Sequence, residues 1–81
     1  MRAIINIALK KGVLDSAGKA THHTLDTIGF KDIVKDVRVG KQIIMELNST
    51  SKEEANEEVT KMCEQLLANT VIEDYEIIIE E

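Results

Sequence analysis

Residues 2–9 read RAIINIAL, and this stretch decides the fold. Its side chains alternate along the chain: one face carries Ala3, Ile5, Ile7 and Leu9, and the other carries Ile4, Asn6 and Ala8. A period of two residues with several β-branched isoleucines is typical of a β-strand. The sequence therefore predicts a strand over residues 2–9.

The pattern downstream of this strand changes to that of a helix. The residues KKG at positions 10–12 break the alternation, and Asp15 or Ser16 can cap a helix that begins at that point. Apolar and small residues then recur at helical spacing as far as Ile28, and Gly29 supplies a left-handed stop. We predict a first helix between about Asp15 and Gly29.

Two strand-like runs follow this helix, at residues 34–39 and 42–47, with Gly40 between them. Glycine permits a tight turn, so the two runs are predicted to pair as a hairpin.

A second helix is predicted from the capping box SKEE at residues 51–54. In this motif the Ser51 hydroxyl accepts a hydrogen bond from the amide of Glu54, whose own side chain reaches back. An amphipathic stripe then continues to a plausible cap at Asn69. Alternating Tyr75, Ile77 and Ile79 mark a last strand.

The predicted order is strand, helix, strand, strand, helix, strand. This is the ferredoxin-like β-α-β-β-α-β plan, an α+β fold with a four-stranded antiparallel sheet and two helices on one face. Without a linker or low-complexity tract, residues 1–81 form a single domain. The sheet face away from the helices is mixed, which indicates a self-association surface at Ile4, Ala8, Ile44 and Ile78.

Composition limits the classes of function. The net charge is −5 and only two residues are aromatic, which argues against nucleic acid as a partner. No apolar run has membrane-spanning length and no signal segment is visible, so a cytoplasmic protein is expected. A chain of 81 residues with one cysteine cannot form an internal disulfide, which favours association as its source of extra stability.

Three groups of residues could carry chemistry, and each has a plainer interpretation. The adjacent His22 and His23 point about 100° apart on a helix and lack the spacing of helical metal ligands, which indicates solvated surface histidines. Cys63 lies on an apolar stripe with nothing nearby to stabilise a thiolate. The outward face of the second helix carries acidic residues that indicate a solvated surface, namely Glu53, Glu54, Glu57 and Glu58. We predict no catalytic residue and no metal ligand.

The loop KKGVLD at residues 10–15 places Val13 and Leu14 between charges, outside the regular elements. Such side chains are either tucked under the neighbouring helix or offered to a partner. The sequence leaves both possibilities open.

Several short motifs resemble the PurS family in order and spacing. They extend over nearly the whole chain: LKKGVLD at 9–15, GK at 18–19, GF at 29–30, DVRVGK at 36–41, MCEQLLAN at 62–69 and VIEDYEI at 71–77. Each motif is short, and their specificity comes from the combination in a chain of matching length. Ser16 and Thr70 differ from the family, in which proline is common at both positions.

The resemblance implies the small non-catalytic subunit of phosphoribosylformylglycinamidine (FGAM) synthase, an enzyme of de novo purine biosynthesis. In that assembly the PurQ glutaminase releases ammonia from glutamine, and the ATP-dependent PurL synthetase uses it to convert FGAR to FGAM. The small subunit bridges the two. ATP and Mg act at PurL, so no cofactor is expected in this subunit, and a homodimer or a dimer of dimers is expected.

For contacts with PurL and PurQ we expect the charged and apolar residues of loop 10–15 and two cations near the predicted hairpin. These are Lys10, Lys11, Gly12, Val13, Leu14, Asp15, Arg38 and Lys41. Two other classes of protein are the alternatives. A small ferredoxin-like ligand-sensing or regulatory module needs a glycine-rich ligand loop, of which residues 11–13 are a poor example. A stand-alone enzyme needs a nucleophile or base that the chain lacks.

Overall fold

The computed structural model describes all 81 residues and has an α+β architecture. The elements follow in the order β1 (Arg2–Leu9), α1 (Ser16–Leu25), β2 (Gly40–Glu46), α2 (Lys52–Met62) and β3 (Glu73–Glu80). Wider π-helical turns prolong α1 over Asp26–Phe30 and α2 over Cys63–Leu67. The first and last strands and both helices lie where the sequence predicts them, and Gly29 ends the first helix at a φ of 112°.

The sheet has three antiparallel strands in the order β2-β1-β3, so β1 is central. Ile5 pairs with Ile43 on one side and with Ile77 on the other. The face that carries these side chains is covered by α2 and the turn that prolongs it. The core there comprises Ala3, Ile5, Ile7, Val59, Cys63 and Ala68. Burial of this alternating face against one amphipathic helix gives the sheet its register.

Residues 34–39 are not a strand in this structure, and the predicted tight turn at Gly40 is wrong. Gly40 is the first residue of β2 and pairs with Ala8. A Cβ atom at Gly40 would lie 2.7 Å from the carbonyl oxygen of Ile7, so glycine is needed here for close approach to β1. Since the chain enters β2 without reversing, residues 34–39 cannot fold back along it. The sheet has three strands, and the fourth strand and the ferredoxin-like topology are not confirmed.

The two helices do not share one face of the sheet, which corrects a second expectation. The core cluster contains no residue of α1, and the only buried residue of that helix is Gly18. Residues 16–39, hereafter the arm, instead project from the end of the sheet. The chain measures 49 × 26 × 14 Å with a radius of gyration of 16.2 Å, against about 12 Å for a compact domain of this length.

Both helices begin at side-chain caps. Asp15 accepts a hydrogen bond from the Gly18 amide at the start of α1, and Ser51 accepts one from the Glu54 amide at the start of α2. The reciprocal half of the predicted capping box is absent, because the Ser51 amide donates to the Ser49 hydroxyl instead. Neither helix combines the length and the apolar character that crossing a membrane requires.

Candidate partner-binding surfaces

Asp15 ties α1 to the segment that precedes β2. Its carboxylate accepts hydrogen bonds from the Gly18 amide at 2.8 Å and the Val39 amide at 2.7 Å. The residue is 5% exposed, yet these two bonds, with a smaller contribution from Arg38, hold the pKa of Asp15 below its usual range. The side chain predicted to face a partner is therefore turned inward and charged.

Arg38 completes this arrangement, hereafter the Asp15–Arg38 clasp. Its guanidinium donates to the carbonyl oxygens of Leu9 and Lys10, both at 3.2 Å, and to that of Val13 at 3.5 Å. The Nε atom lies 4.0 Å from Asp15 Oδ2. Three carbonyl groups of one loop thus converge on one cation, which fixes the path of the chain between β1 and α1.

The rest of the loop from Lys10 to Asp15 is largely exposed, although Lys10 is half-buried. Lys11, Gly12 and Leu14 are exposed, and Leu14 keeps 65% of its surface free. Gly12 has a φ of 94°, a left-handed conformation that favours glycine. Val13 is half-buried, and its amide donates to the Lys10 carbonyl. The sequence left open whether Val13 and Leu14 are buried or exposed. In the structure the Leu14 side chain is exposed and the Val13 side chain is partly buried.

Lys41 lies at the start of β2, on the opposite side of β1 from β3. Its ammonium is 3.9 Å from Glu73 Oε2, and more than half of its side-chain surface is exposed. Glu73 also lines a shallow cleft together with Lys10. The predicted partner-contact residues thus divide into two groups: Lys11, Leu14 and Lys41 are exposed, with Lys10 half-buried beside them, while Asp15 and Arg38 hold the loop.

The outer sheet face, away from α2, is organised in rows across the three strands. Ile4 lies between Ile44 and Ile78, which are 55% and 43% exposed. The next row along the strands is polar: Gln42 donates to Asn6, and Asn6 donates to Glu76, both at 2.9 Å. On the other side of the isoleucines lies an ion pair between Arg2 and Glu80.

The predicted self-association set is therefore only partly contiguous. The three isoleucines form one apolar row, and the amide row separates them from Ala8, which pairs with Gly40 and Asp74. An apolar row bounded by polar rows has a defined position along the strands. A second surface can therefore pack on this face in one defined position along the strands.

The cysteine and the two histidines occupy different environments. Cys63 is fully buried in the core, and burial, with a smaller effect of Glu64, raises the pKa of its thiol. His23 is exposed, whereas His22 is half-buried, donates through Nε2 to the Val34 carbonyl at 3.0 Å and lies 3.8 Å from Asp26. The expectation of a solvated histidine is thus wrong for His22. No three acidic, histidine or cysteine side chains gather in a group that could hold a metal ion.

One contact was missed from the sequence. The Tyr75 hydroxyl donates to Glu64 at 2.7 Å, and this bond is the main reason that the pKa of Tyr75 is raised to about 12. The two residues lie on β3 and on the turn after α2, so the bond ties the end of that helix to the sheet. The motifs at 62–69 and 71–77 contain both residues, but neither motif shows that they meet.

Sequence comparison relates the chain to one family over almost its full length. Residues 2–81 match the family model described as PurS: phosphoribosylformylglycinamidine (FGAM) synthase. Among similar proteins are phosphoribosylformylglycinamidine synthase subunits PurS from two archaea. That of Methanocaldococcus jannaschii is 43% identical over 79 residues, covering 98% of this chain and 94% of the relative. That of Archaeoglobus fulgidus is 45% identical over 78 residues, covering 96% of each.

Solved structures give the same relation. The crystal structure of Methanocaldococcus jannaschii PurS has a TM-score of 0.89 and 42% identity, and the match covers 99% of this chain and 95% of that one. A chain in the structure of PurLQS from Thermotoga maritima has a TM-score of 0.85 and 36% identity, covering 95% and 93%. The similarity thus includes a PurS chain on its own and a chain of a three-part assembly.

Proposed function

The chain belongs to the PurS family of phosphoribosylformylglycinamidine synthase subunits, and on that basis we propose that it joins the glutaminase and the synthetase of this enzyme in purine biosynthesis. The observation that carries the proposal is the similarity, at 36% identity and a TM-score of 0.85, to a chain of the PurLQS structure. In this role the chain is a component of a ligase complex in the cytoplasm. Family membership also favours this function over a ligand-sensing module.

The proposed role of this chain beside the two enzymes follows from the groups on its surface. Its one thiol is in the core, and its exposed groups include Lys11, Lys41, Leu14 and the isoleucine row. These are groups that bind proteins. In the proposed assembly the PurQ glutaminase supplies ammonia, ATP and Mg act at the PurL synthetase, and this subunit holds no cofactor. Its contribution is proximity, which turns the transfer of ammonia between two enzymes into a step within one assembly.

The contact with these enzymes is assigned to the outward-facing part of the loop together with Lys41. Lys10, Lys11 and Leu14 lie next to one another on a loop whose path the Asp15–Arg38 clasp fixes. A preorganised loop loses little conformational entropy on binding, which favours affinity. Within the set Lys10, Lys11, Gly12, Val13, Leu14, Asp15, Arg38 and Lys41, Asp15 and Arg38 therefore act by positioning the others.

Self-association, as a homodimer or a dimer of dimers, is the second part of the proposal. Only 9 of 81 residues are buried, which is a small core for a stable domain. Packing the isoleucine row of the outer sheet face against a second copy increases the buried apolar area and leaves α2 in place. Contact between the sheets of two copies is also the place where the fourth strand of the ferredoxin-like fold would form.

The decisive assay compares two nitrogen sources in the reconstituted synthase. Omitting this chain is expected to abolish most of the glutamine-dependent rate while sparing the rate driven by a high concentration of ammonium, because external ammonia bypasses the link to the glutaminase. Equal loss of the two rates would show that the chain shapes the synthetase active site and is not a bridge.

Charge reversal in the loop tests the assigned contact. Lys10→Glu and Lys11→Glu are expected to weaken assembly on a column or by sedimentation, with a difference from wild type that narrows at high salt because exposed charges are screened. Lys52→Glu is the matched control, since Lys52 is also exposed but lies at the start of α2. Equal behaviour of the loop and control variants would remove the loop from the interface.

A further inference from the structure

Asp26 carries a buried carboxylate oxygen that has no hydrogen-bond partner. This Oδ1 atom is shielded from solvent, and no other buried side-chain nitrogen or oxygen in the chain is unpaired. The Nε2 atom of His22 lies 3.8 Å away from it, which is too far for a hydrogen bond. Buried polar atoms in proteins are nearly always paired, so an unpaired one indicates that a water molecule or an ion completes its bonding.

Three groups that can bind a metal ion converge at this oxygen. His22 and Asp26 are spaced i, i+4, which places them on one face of α1 and the turn that prolongs it. The third group is the carbonyl of Val34, whose oxygen is 3.0 Å from His22 Nε2. The two side chains keep only 29% and 33% of their surface exposed. An imidazole nitrogen, a carboxylate oxygen and a carbonyl oxygen therefore meet at one partly shielded place.

The separations between these atoms suit a cation placed among them. Ligand atoms bound to one Zn²⁺ ion lie roughly 2.9 to 3.5 Å from each other, depending on whether the arrangement is octahedral or tetrahedral. The distance of 3.0 Å between Nε2 and the Val34 oxygen falls within this range. The distance of 3.8 Å between Nε2 and Asp26 Oδ1 slightly exceeds it, and a small rotation of either side chain closes the difference.

We propose that His22, Asp26 and the Val34 carbonyl bind a divalent transition-metal cation of the zinc type, with water in the remaining positions. A mixed set of nitrogen and oxygen ligands suits Zn²⁺, whereas Mg²⁺ prefers oxygen ligands alone. In the bound form Nε2 coordinates through its lone pair, so the proton of the neutral ring is on Nδ1. The carboxylate of Asp26 offsets one of the two charges of the cation.

A cation at this place would fasten the arm at a second point. Residues 34–39 are already tied to the start of α1, because the Val39 amide donates to Asp15. The cation would tie them to the end of α1 at Val34. The site shares no residue with loop 10–15, so it does not rest on the proposed function. The spacing of the two histidines does not indicate it, because the third ligand is a backbone group 12 positions away from His22.

Calorimetric titration of the isolated chain with ZnCl₂ tests the site. The wild type is expected to bind one Zn²⁺ ion, and Mg²⁺ is expected not to compete. His22→Gln removes the nitrogen ligand and Asp26→Asn removes the charge of the carboxylate, and each is expected to weaken binding by about tenfold or more. His23→Gln and Asp32→Asn are the matched controls, since both residues are exposed on the arm, and they should bind Zn²⁺ like the wild type.

Nitrogen-15 NMR of the wild-type chain identifies the ligand atom without a substitution. Zn²⁺ is expected to shift the Nε2 signal of His22 and to leave both ring nitrogens of His23 unchanged. Urea unfolding gives a third measurement. Zn²⁺ is expected to raise the midpoint of the wild type and of His23→Gln but not that of His22→Gln, because a ligand that binds only the folded chain stabilises it.

The proposal is overturned if the wild type binds no Zn²⁺ at submillimolar concentration. Equal loss of affinity in His23→Gln and His22→Gln would also overturn it, since that result indicates chelation by the two adjacent histidines alone. Unchanged binding by Asp26→Asn would exclude the carboxylate as a ligand and contradict the site. Because the titration uses this chain alone, its outcome is independent of the nitrogen-source assay that tests the proposed function.

Discussion

At the scale of single residues, Asp15 orders three parts of the chain. Its carboxylate caps α1, binds the amide of Val39 and lies beside Arg38, which in turn gathers the carbonyl groups of the loop. Hydrogen bonds from backbone amides favour the ionised carboxylate over the protonated one. The arm and the loop therefore depend on the charge of one buried side chain.

Asp15→Asn is expected to lower the denaturant midpoint at pH 7, because the amide nitrogen of asparagine cannot accept the second of the two backbone hydrogen bonds. The pKa of Asp15 is lowered in the folded chain, so its stabilising effect is present above the unfolded-state value near 4 and is lost as the pH falls below it. The gap between wild type and variant should thus narrow at pH 3. Urea unfolding at the two pH values measures this, and exposed Asp36→Asn is the control. A gap that is constant with pH would contradict the assignment.

Gly18→Ala is expected to destabilise the chain although alanine is the better helix former. The added methyl group would lie 2.3 Å from the Val37 carbonyl oxygen and 2.6 Å from Asp15 Oδ2, so α1 must move away from residues 34–39. Overpacking of this kind costs about 1 to 3 kcal/mol, against a gain of about 1 kcal/mol from helix propensity. Thermal or urea unfolding decides the sign. Lys19→Ala, at the exposed neighbouring position, should be nearly neutral, and a net gain for Gly18→Ala would refute the close packing.

At the scale of elements, α1 begins at an exposed serine, at a position where proline would fit. Ser16 is the first residue of the helix, so its N–H has no helical carbonyl to bind. Asp15 before it lies outside the α-helical region, with φ −106° and ψ 89°, and the residue before a proline disfavours that region. The family preference for proline at this position is thus compatible with the backbone of this chain.

Ser16→Pro is expected to raise the free energy of unfolding by about 0.5 to 1 kcal/mol, because proline restricts the unfolded chain without straining the first helical turn. The same substitution inside the helix, Ala20→Pro, should cost about 3 kcal/mol or more. Chemical unfolding of both variants provides the comparison. Destabilisation by Ser16→Pro would mean that α1 begins elsewhere.

At the scale of the whole molecule, the elongated shape separates two surfaces. The isoleucine row occupies the outer face of the sheet, while residues 34–39 lie in the arm beyond the sheet end. The two surfaces therefore belong to different parts of the chain.

Ile44→Glu is expected to reduce the mass of the self-assembled protein without unfolding it, because Ile44 is 55% exposed and its charge would be buried only between copies. Sedimentation at micromolar concentration with circular dichroism separates assembly from folding. Val71→Glu is the matched control, since Val71 is 81% exposed and lies in the turn before β3. Unchanged assembly of Ile44→Glu would exclude the outer sheet face as an interface.

The residues proposed as partner contacts follow from sequence motifs, whereas the geometry of the loop does not. Among the residues predicted to contact partners, Lys11 and Leu14 are exposed and Lys10 is half-buried. Asp15 and Arg38 were assigned to the same surface, but the bonds that turn them inward join residues 24 to 29 positions apart. A motif shows which residues are present in a loop and cannot show which distant groups they bind.

The sequence by itself determined the strand at residues 2–9, the last strand marked by Tyr75, Ile77 and Ile79, the N-terminal caps of the two helices and the membership of the PurS family. Alternation, helical spacing and capping act between neighbours in the chain, so they can be recognised without a structure. Only the tertiary structure decided that α1 leaves the sheet and that residues 34–39 stay unpaired. A segment becomes a strand only when the backbone of a neighbouring strand accepts and donates its hydrogen bonds. In this chain the close approach of Gly40 to Ile7 makes Gly40 the first residue of β2, and residues 34–39 have no strand beside them.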